Sequence, residues 1–126
     1  MNAFDLNMEN HNQWDGFVRD SQEAWFFHLS KWAQLCQEVF RQKNVSFMVK
    51  EGDEVLAIMP LAIRNRIGIR MFISPAFGGY GGPAYSHKLS KNKKQAVSKW
   101  VESFINSLAL KYKIDFFKYE SLCNQN

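Results

Sequence analysis

The sequence predicts an α/β fold built on one mixed sheet, with elements in the order helix, helix, strand, strand, strand, helix, strand. Three observations carry that reading. A helical apolar stripe precedes residue 41, an apolar stretch broken by turns runs from Val45 to Ser74, and a long amphipathic segment separates it from a last apolar run at 114–119. Short turns between the first three strands make them an antiparallel meander. A helix between the third and fourth strands implies a crossover, normally right-handed, into a parallel pairing.

Each element has its own signature. The first helix starts with Asn12 as cap and Asp15 three residues later, close to a capping box, and Trp14, Phe17 and Val18 share one face. After a break at Ser21, the run Trp25-Phe26-Phe27-His28-Leu29 is too apolar for a free loop and is expected to pack across the domain. Ser30 caps the second helix, where Trp32, Leu35, Cys36, Val39 and Phe40 recur at the spacing of a single buried stripe. Asn44 is its stop signal.

Val45, Phe47 and Val49 then alternate with Ser46, Met48 and Lys50, as in a half-exposed strand. Glu51 to Glu54 is a hairpin turn in which Gly52 can take positive φ. Val55 to Ile63 is apolar almost throughout, which suits a strand covered on both faces. Pro60 conflicts with that, because proline removes a ladder donor and belongs at edges or bulges. Arg64-Asn65-Arg66 turns the chain again, and Ile67 to Ser74 is the third strand, with Ile67, Ile69, Met71 and Ile73 on one face. A helix from about Ser90 to Lys111 buries Val97, Trp100, Val101, Phe104, Ile105 and Leu108, and Ile114 to Tyr119 is the fourth strand.

With 126 residues, 46% of them apolar, the chain has room for one domain with a real core, spanning 1–126. Eleven Phe and four Trp add large buried areas and exclude a disordered chain. Cys36 and Cys123 are too few for a disulfide framework and lack zinc-site spacing, and His11 and His87 pair with no ligand at metal spacing, so no metal is expected. No signal-peptide pattern opens the sequence and no 18 apolar residues run together, so the expectation is a cytoplasmic protein without a membrane span. The charge of +4 is concentrated at Lys88, Lys91, Lys93, Lys94 and Lys99. Such a patch attracts phosphates, but no aromatic interleaving accompanies it, and a solvated helix start is the plainer reading.

The feature that local structure explains least is the loop Phe77-Gly78-Gly79-Tyr80-Gly81-Gly82-Pro83. Four glycines in five positions (Gly78, Gly79, Gly81, Gly82) imply unusual φ angles or close backbone approach. The loop also lies where a strand hands over to a helix, a favoured place for ligands in α/β folds. Gly79 to Ala84 matches the spacing of a dinucleotide fingerprint, but Pro83 and further residues intervene before any helix, so that reading fails. Gly78, Gly79, Tyr80, Gly81 and Gly82 are the candidate substrate-binding residues, with Tyr80 able to stack or hydrogen-bond. His28 joins them as a residue that titrates near neutrality, although a packed histidine is the alternative. Asp115 opens the last strand, where a turn role competes with a site role. No catalytic residue is assigned, since no nucleophile elbow, P-loop or carboxylate pair occurs.

The order of Trp14 to Phe17, Trp25-Phe26-Phe27-His28-Leu29-Ser30-Lys31-Trp32, Val55 to Leu61 with its terminal Pro60-Leu61, and Tyr80-Gly81-Gly82-Pro83 resembles the opening of FemAB-like proteins of the GNAT-type acyltransferase superfamily. The resemblance implies a GNAT-like mixed sheet and acyl or aminoacyl transfer to an amine-bearing small molecule or cell-wall precursor. Acyl-CoA or aminoacyl-tRNA would be the co-substrate of the full protein, and nucleic acid is not expected in any other form. Members of that group are longer and have two GNAT-like units facing one another. The donor signature of GNAT enzymes, Gln or Arg followed by a glycine-containing strand-to-helix turn, is absent from this sequence. The resemblance therefore implies an N-terminal, acceptor-side unit that binds no cofactor by itself and is completed by a second half or by a homo-oligomer. A non-catalytic ligand-binding or interaction module of the same fold is the alternative.

Overall fold

The computed structural model describes residues 1–24, 28–74 and 82–119. Its elements are β1 (Asn2–Asp5), α1 (His11–Asp20), α2 (Ser30–Phe40), β2 (Lys43–Asn44), β3 (Phe47–Glu51), β4 (Glu54–Met59), β5 (Ala62–Arg66), β6 (Ile69–Ser74), β7 (Ala84–Tyr85), α3 (Lys91–Tyr112) and β8 (Phe116–Tyr119). The class is mixed α/β. The expected single sheet is instead two, ordered β1-β3-β4-β7 and β2-β5-β6-β8. All pairings are antiparallel except β6 with β8, which α3 connects as a parallel crossover.

Pro60 explains the division. Lys43–Asn44 pairs with Ala62–Ile63, and Phe47 pairs with Met59, so the ladder between the two long antiparallel runs opens at Val45-Ser46 opposite Pro60-Leu61. Proline offers no N–H there. The buried Ser46 hydroxyl restores the bonds at the break, accepting from the Leu61 N–H (2.9 Å) and donating to the Leu61 carbonyl (3.2 Å). The expected strand from Val55 to Ile63 thus becomes β4 and β5 in different sheets, and the proline conflict becomes the corner between them.

Core packing fixes which faces are inside. Phe47, Val49, Leu56 and Met59 of the first sheet and Ile63 and Phe72 of the second meet Val97 and Val101 of α3 in one cluster. Phe104 packs edge-on to Phe47 (centroids 4.6 Å apart) and stacks with Trp100 at 5.4 Å. On the opposite face of the first sheet, Trp14 and Val18 of α1 cover Met48 and Ile58. Trp32 and Cys36 of α2 cover Ala62 of the second sheet. Fully burying each large apolar side chain contributes roughly 1.5–3 kcal/mol.

Several expectations are corrected by these contacts. β3 is buried on both faces at Phe47, Met48 and Val49 rather than half exposed, because α3 and α1 flank it. In β6 Ile69, Met71 and Ile73 do alternate on one face, the more open one, with Phe72 and Ser74 buried on the other, while Ile67 lies before the strand and is 94% exposed. Arg64-Asn65-Arg66 lies within β5, and the reversal is one step later at Ile67-Gly68. The α2 stripe buries Cys36 and half-buries Trp32, whereas Leu35, Val39 and Phe40 face outward. That helix stops at Arg41, which caps it in the left-handed conformation, not at Asn44. β1 was not expected at all: four residues without alternation become a strand only through the β3 edge they pair with.

Candidate functional site

The site begins with the end of β6. Ser74, the last residue of that strand, is 2% exposed and its hydroxyl donates a short hydrogen bond to the Pro60 carbonyl at the corner between the sheets. The same oxygen accepts from the Gly82 N–H at 2.9 Å. Gly82 is buried and has φ +82°, in the left-handed region where a Cβ is penalised. Its carbonyl is met from the other side by His28 Nε2 at 3.1 Å. A carbonyl only accepts, so the imidazole donates through Nε2–H in this pair. The returning foot of the glycine-rich loop is therefore held at both of its backbone polar groups, by a strand-end serine and by a histidine 54 residues away in sequence.

His28 is fixed in turn. It is 3% exposed, and its own carbonyl accepts from the Trp14 indole Nε1 at 2.5 Å, tying the segment before α2 to the core of α1. Asp15, one position on in α1, takes both the Ser30 N–H (2.8 Å) and the Ser30 hydroxyl (2.6 Å) on its two carboxylate oxygens. The expected capping box of α1 is thus absent: Asp15 instead receives the first turn of α2, where negative charge and acceptor oxygens satisfy orphan N–H groups. Asn10 is the α1 cap position, its side chain bonding Asn7 N–H and the Asp5 carbonyl.

Of the residues singled out from sequence, His28 and Gly82 are brought into direct contact. Gly78, Gly79, Tyr80 and Gly81 lie outside the described residues, as do Trp25, Phe26 and Phe27. Asp115 is exposed and serves a turn, its carboxylate accepting from Arg70 N–H (3.0 Å) while its own N–H donates to the Arg70 carbonyl (2.8 Å). Sequence reading missed Ser74 and Trp14 as parts of this arrangement. The available signal for Ser74 was a lone hydroxyl closing an apolar run directly before the glycines; for Trp14 there was none beyond its helical face.

Glu23 lies on the approach to the same region. Its carboxylate accepts from Tyr85 N–H in β7 at 3.3 Å and pairs with Lys94 at 2.5 Å, and Lys94 also sits over the Tyr85 ring. Lys93 pairs with Glu51 at 3.1 Å. Two members of the lysine cluster are therefore drawn into ion pairs beside the first turn of α3, whose own N–H groups are capped by Ser90 through Lys93 N–H. These pairs offset the unfavourable placement of lysines at a helix N-terminus. Burial pushes the Cys36 thiol above its ordinary range, which keeps it protonated and poorly nucleophilic. Among the described residues no group of three or more His, Cys, Asp or Glu is arranged to hold a metal, and no helix is long and apolar enough to cross a membrane.

No family model, curated protein or solved structure matches this chain.

Proposed function

We propose that the chain is the N-terminal, acceptor-side unit of a FemAB-like acyl or aminoacyl transferase acting on an amine, working in the cytoplasm and inactive without a second unit. The observation that carries the reading is the pinned foot of the glycine-rich loop, where Ser74 and His28 hold Gly82 at the junction between β6 and the crossover helix. Backbone N–H groups are the usual stabilisers of a developing oxyanion, and the run of glycines in the sequence from Gly78 to Gly82 would let a substrate approach such groups closely. In such a reaction the neutral amine attacks the carbonyl carbon of an ester or thioester. The tetrahedral oxyanion then collapses with loss of the alcohol or thiolate, and the amine proton passes to a base or water chain. Acyl-CoA or aminoacyl-tRNA supplies the acyl group, and an amine-bearing small molecule or cell-wall precursor receives it. His28 would position the loop rather than accept that proton at Nε2, because this nitrogen already donates to Gly82.

The second unit has a candidate place. β8 ends the order of the second sheet among the described residues, and its Phe116 is exposed next to half-buried Met71 in register. An unpaired edge with apolar side chains invites strand addition. A non-catalytic interaction module would use the same edge. Light scattering followed by calorimetric titration with acetyl-CoA tests both. Donor binding by the chain alone would overturn the incomplete-unit reading. A folded chain that ignores the donor, and that gains binding when a second unit is supplied, supports transfer; a chain that associates and never acquires donor binding supports the interaction module.

A further inference from the structure

Helices α1 and α2 flank a groove of about 580 Å³, a volume in the range of small-molecule sites. The helices run along it in opposite senses. Asp15 of α1 holds Ser30 at the start of α2, and at the other end Leu6 N–H, ahead of α1, donates to the Ser46 carbonyl that follows α2 and β2. The charges of the groove are sorted along that length. At the Asp15 end stand Arg19, one turn further along α1, and Lys31, next to Ser30. Neither forms an ion pair among the described residues, and both oxygens of Asp15 are spent on Ser30, so this end is net positive. Arg19 complements the carbonyl end of α1, but Lys31 occupies the first turn of α2, where a cation is disfavoured. Glu38 lies two turns beyond Lys31 on the same helix, about 10 Å along the groove. It accepts from Gln34 Nε2 at 3.1 Å, and no cation pairs with it among the described residues. His11, the first residue of α1, belongs to that end as well. Its Nδ1 lies 2.9 Å from the Met8 carbonyl, which only accepts, so the neutral ring keeps Nε2 as an acceptor.

We propose that this groove binds a small zwitterion whose oxyanion meets Arg19 and Lys31 and whose ammonium, about 10 Å away, meets Glu38 and His11. The lining carries as many Asp and Glu as Lys and Arg, so a ligand neutral overall but charged at both ends matches it. A molecule with only one charge would leave the opposite end of the groove without a partner. Each ion pair formed inside the groove is also less weakened by water than one on open surface. Between the two ends the lining side chains include Leu6, Asn12 and Gln34, none of them charged, which suits an uncharged chain joining the two ionised groups. The site stands apart from the transfer reading: none of these residues holds Gly82, and its failure would leave that reading untouched.

The test uses the intact chain and ω-aminooctanoate, whose extended chain spans the two ends of the groove. N-acetyl-ω-aminooctanoate removes the ammonium, ω-aminooctanamide removes the carboxylate, and γ-aminobutyrate holds both charges too close together. Binding is read at low salt as saturable shifts of the Lys31, Gln34 and Glu38 backbone amides in nitrogen–proton NMR spectra. ω-Aminooctanoate is expected to bind at least about threefold more tightly than each of the other three, the scale of partly exposed ion pairs, and to weaken as salt is added. Arg19→Gln is expected to weaken ω-aminooctanoate and leave ω-aminooctanamide unchanged. Glu38→Gln is expected to weaken ω-aminooctanoate and leave the N-acetyl compound unchanged. Both residues are exposed, so both variants are expected to keep the wild-type circular dichroism. Absence of a saturable shift, equal binding of either capped compound or of γ-aminobutyrate, or wild-type binding by both variants would each overturn the proposal. The ligand series on the wild-type chain decides the matter even if a variant is unstable.

Discussion

Ile67 shows how a single residue can sit against its own preference. It occupies φ +52° beside Gly68 at φ +78°, the two central positions of the tight turn between β5 and β6, and it is 94% exposed. A β-branched side chain is penalised in the left-handed region, where asparagine before glycine is favoured. Ile67→Asn is therefore expected to stabilise the fold by about 0.5–1 kcal/mol, read as a higher urea midpoint with unchanged slope. Cys36 gives a residue-scale prediction about pH. Burial raises its thiol above the ordinary 9.0, so the folded chain keeps a proton that the unfolded chain releases. This contribution is full below the ordinary value and declines as pH rises above it. Wild type is expected to lose more melting temperature than Cys36→Ala between about pH 8 and about pH 10, and its thiol should react slowly with a disulfide reagent until the chain is unfolded.

At the scale of elements, the bonds that matter join segments whose ends would otherwise be free. Asp15 holds the first turn of α2 with two oxygens on one serine, and Ser30 is itself 9% exposed, so water does not replace the carboxylate easily. Asp15→Ala is expected to cost about 1–2 kcal/mol, with Asp15→Asn milder, measured by denaturant unfolding. Ser74 joins three segments: β6 by its backbone, the Pro60 corner by donation and the loop foot by acceptance. Ser74→Ala leaves the buried Gly82 N–H without its partner and is expected to cost about 1–3 kcal/mol. Its distinguishing signature is faster hydrogen exchange at the Gly82 amide, while amides in the centre of α3 change only with global stability. Equal protection of Gly82 in both proteins would show that the serine does not hold the loop.

For the molecule as a whole, apolar side chains gather on the more open face of the second sheet. Ile69 and Phe116 are about half exposed there, Met71 and Ile73 are partly buried, and the β8 edge has no neighbour among the described residues. On α2, Leu35, Val39 and Phe40 add further exposed apolar surface. Apolar groups gathered beside an open strand edge favour association in general. The chain is expected to self-associate with rising concentration in light scattering, and Phe116→Glu to shift it toward monomer without changing its circular dichroism. A wild-type chain that stays monomeric at high concentration would remove the edge from consideration.

Local patterns determined a good deal. The helical stripes placed all three helices, Gly52 placed the β3–β4 turn, and the long helix before the final apolar run implied the parallel pairing of β8 with β6. The glycine cluster and His28 marked residues that do meet, although only at Gly82 within the described chain. These signals are legible because periodicity and turn chemistry depend on neighbours a few residues apart; the expected caps at Asn12 and Ser30 and stop at Asn44 give way to Asn10, Leu29 and Arg41. Other features waited on distant partners. Alternation in β6 put Ile69, Met71 and Ile73 on one face without saying which face would be covered; α3 lies over Phe72, which leaves the other face the more open one. Pro60 announced a break in the ladder, but only Ser46 and Ser74, contributed from the segment before β3 and from β6, decided that the break would become a corner. Sequence sets which residues can face one another along a helix or strand; which face is buried, and against what, is settled by contacts between segments that only the folded chain brings together.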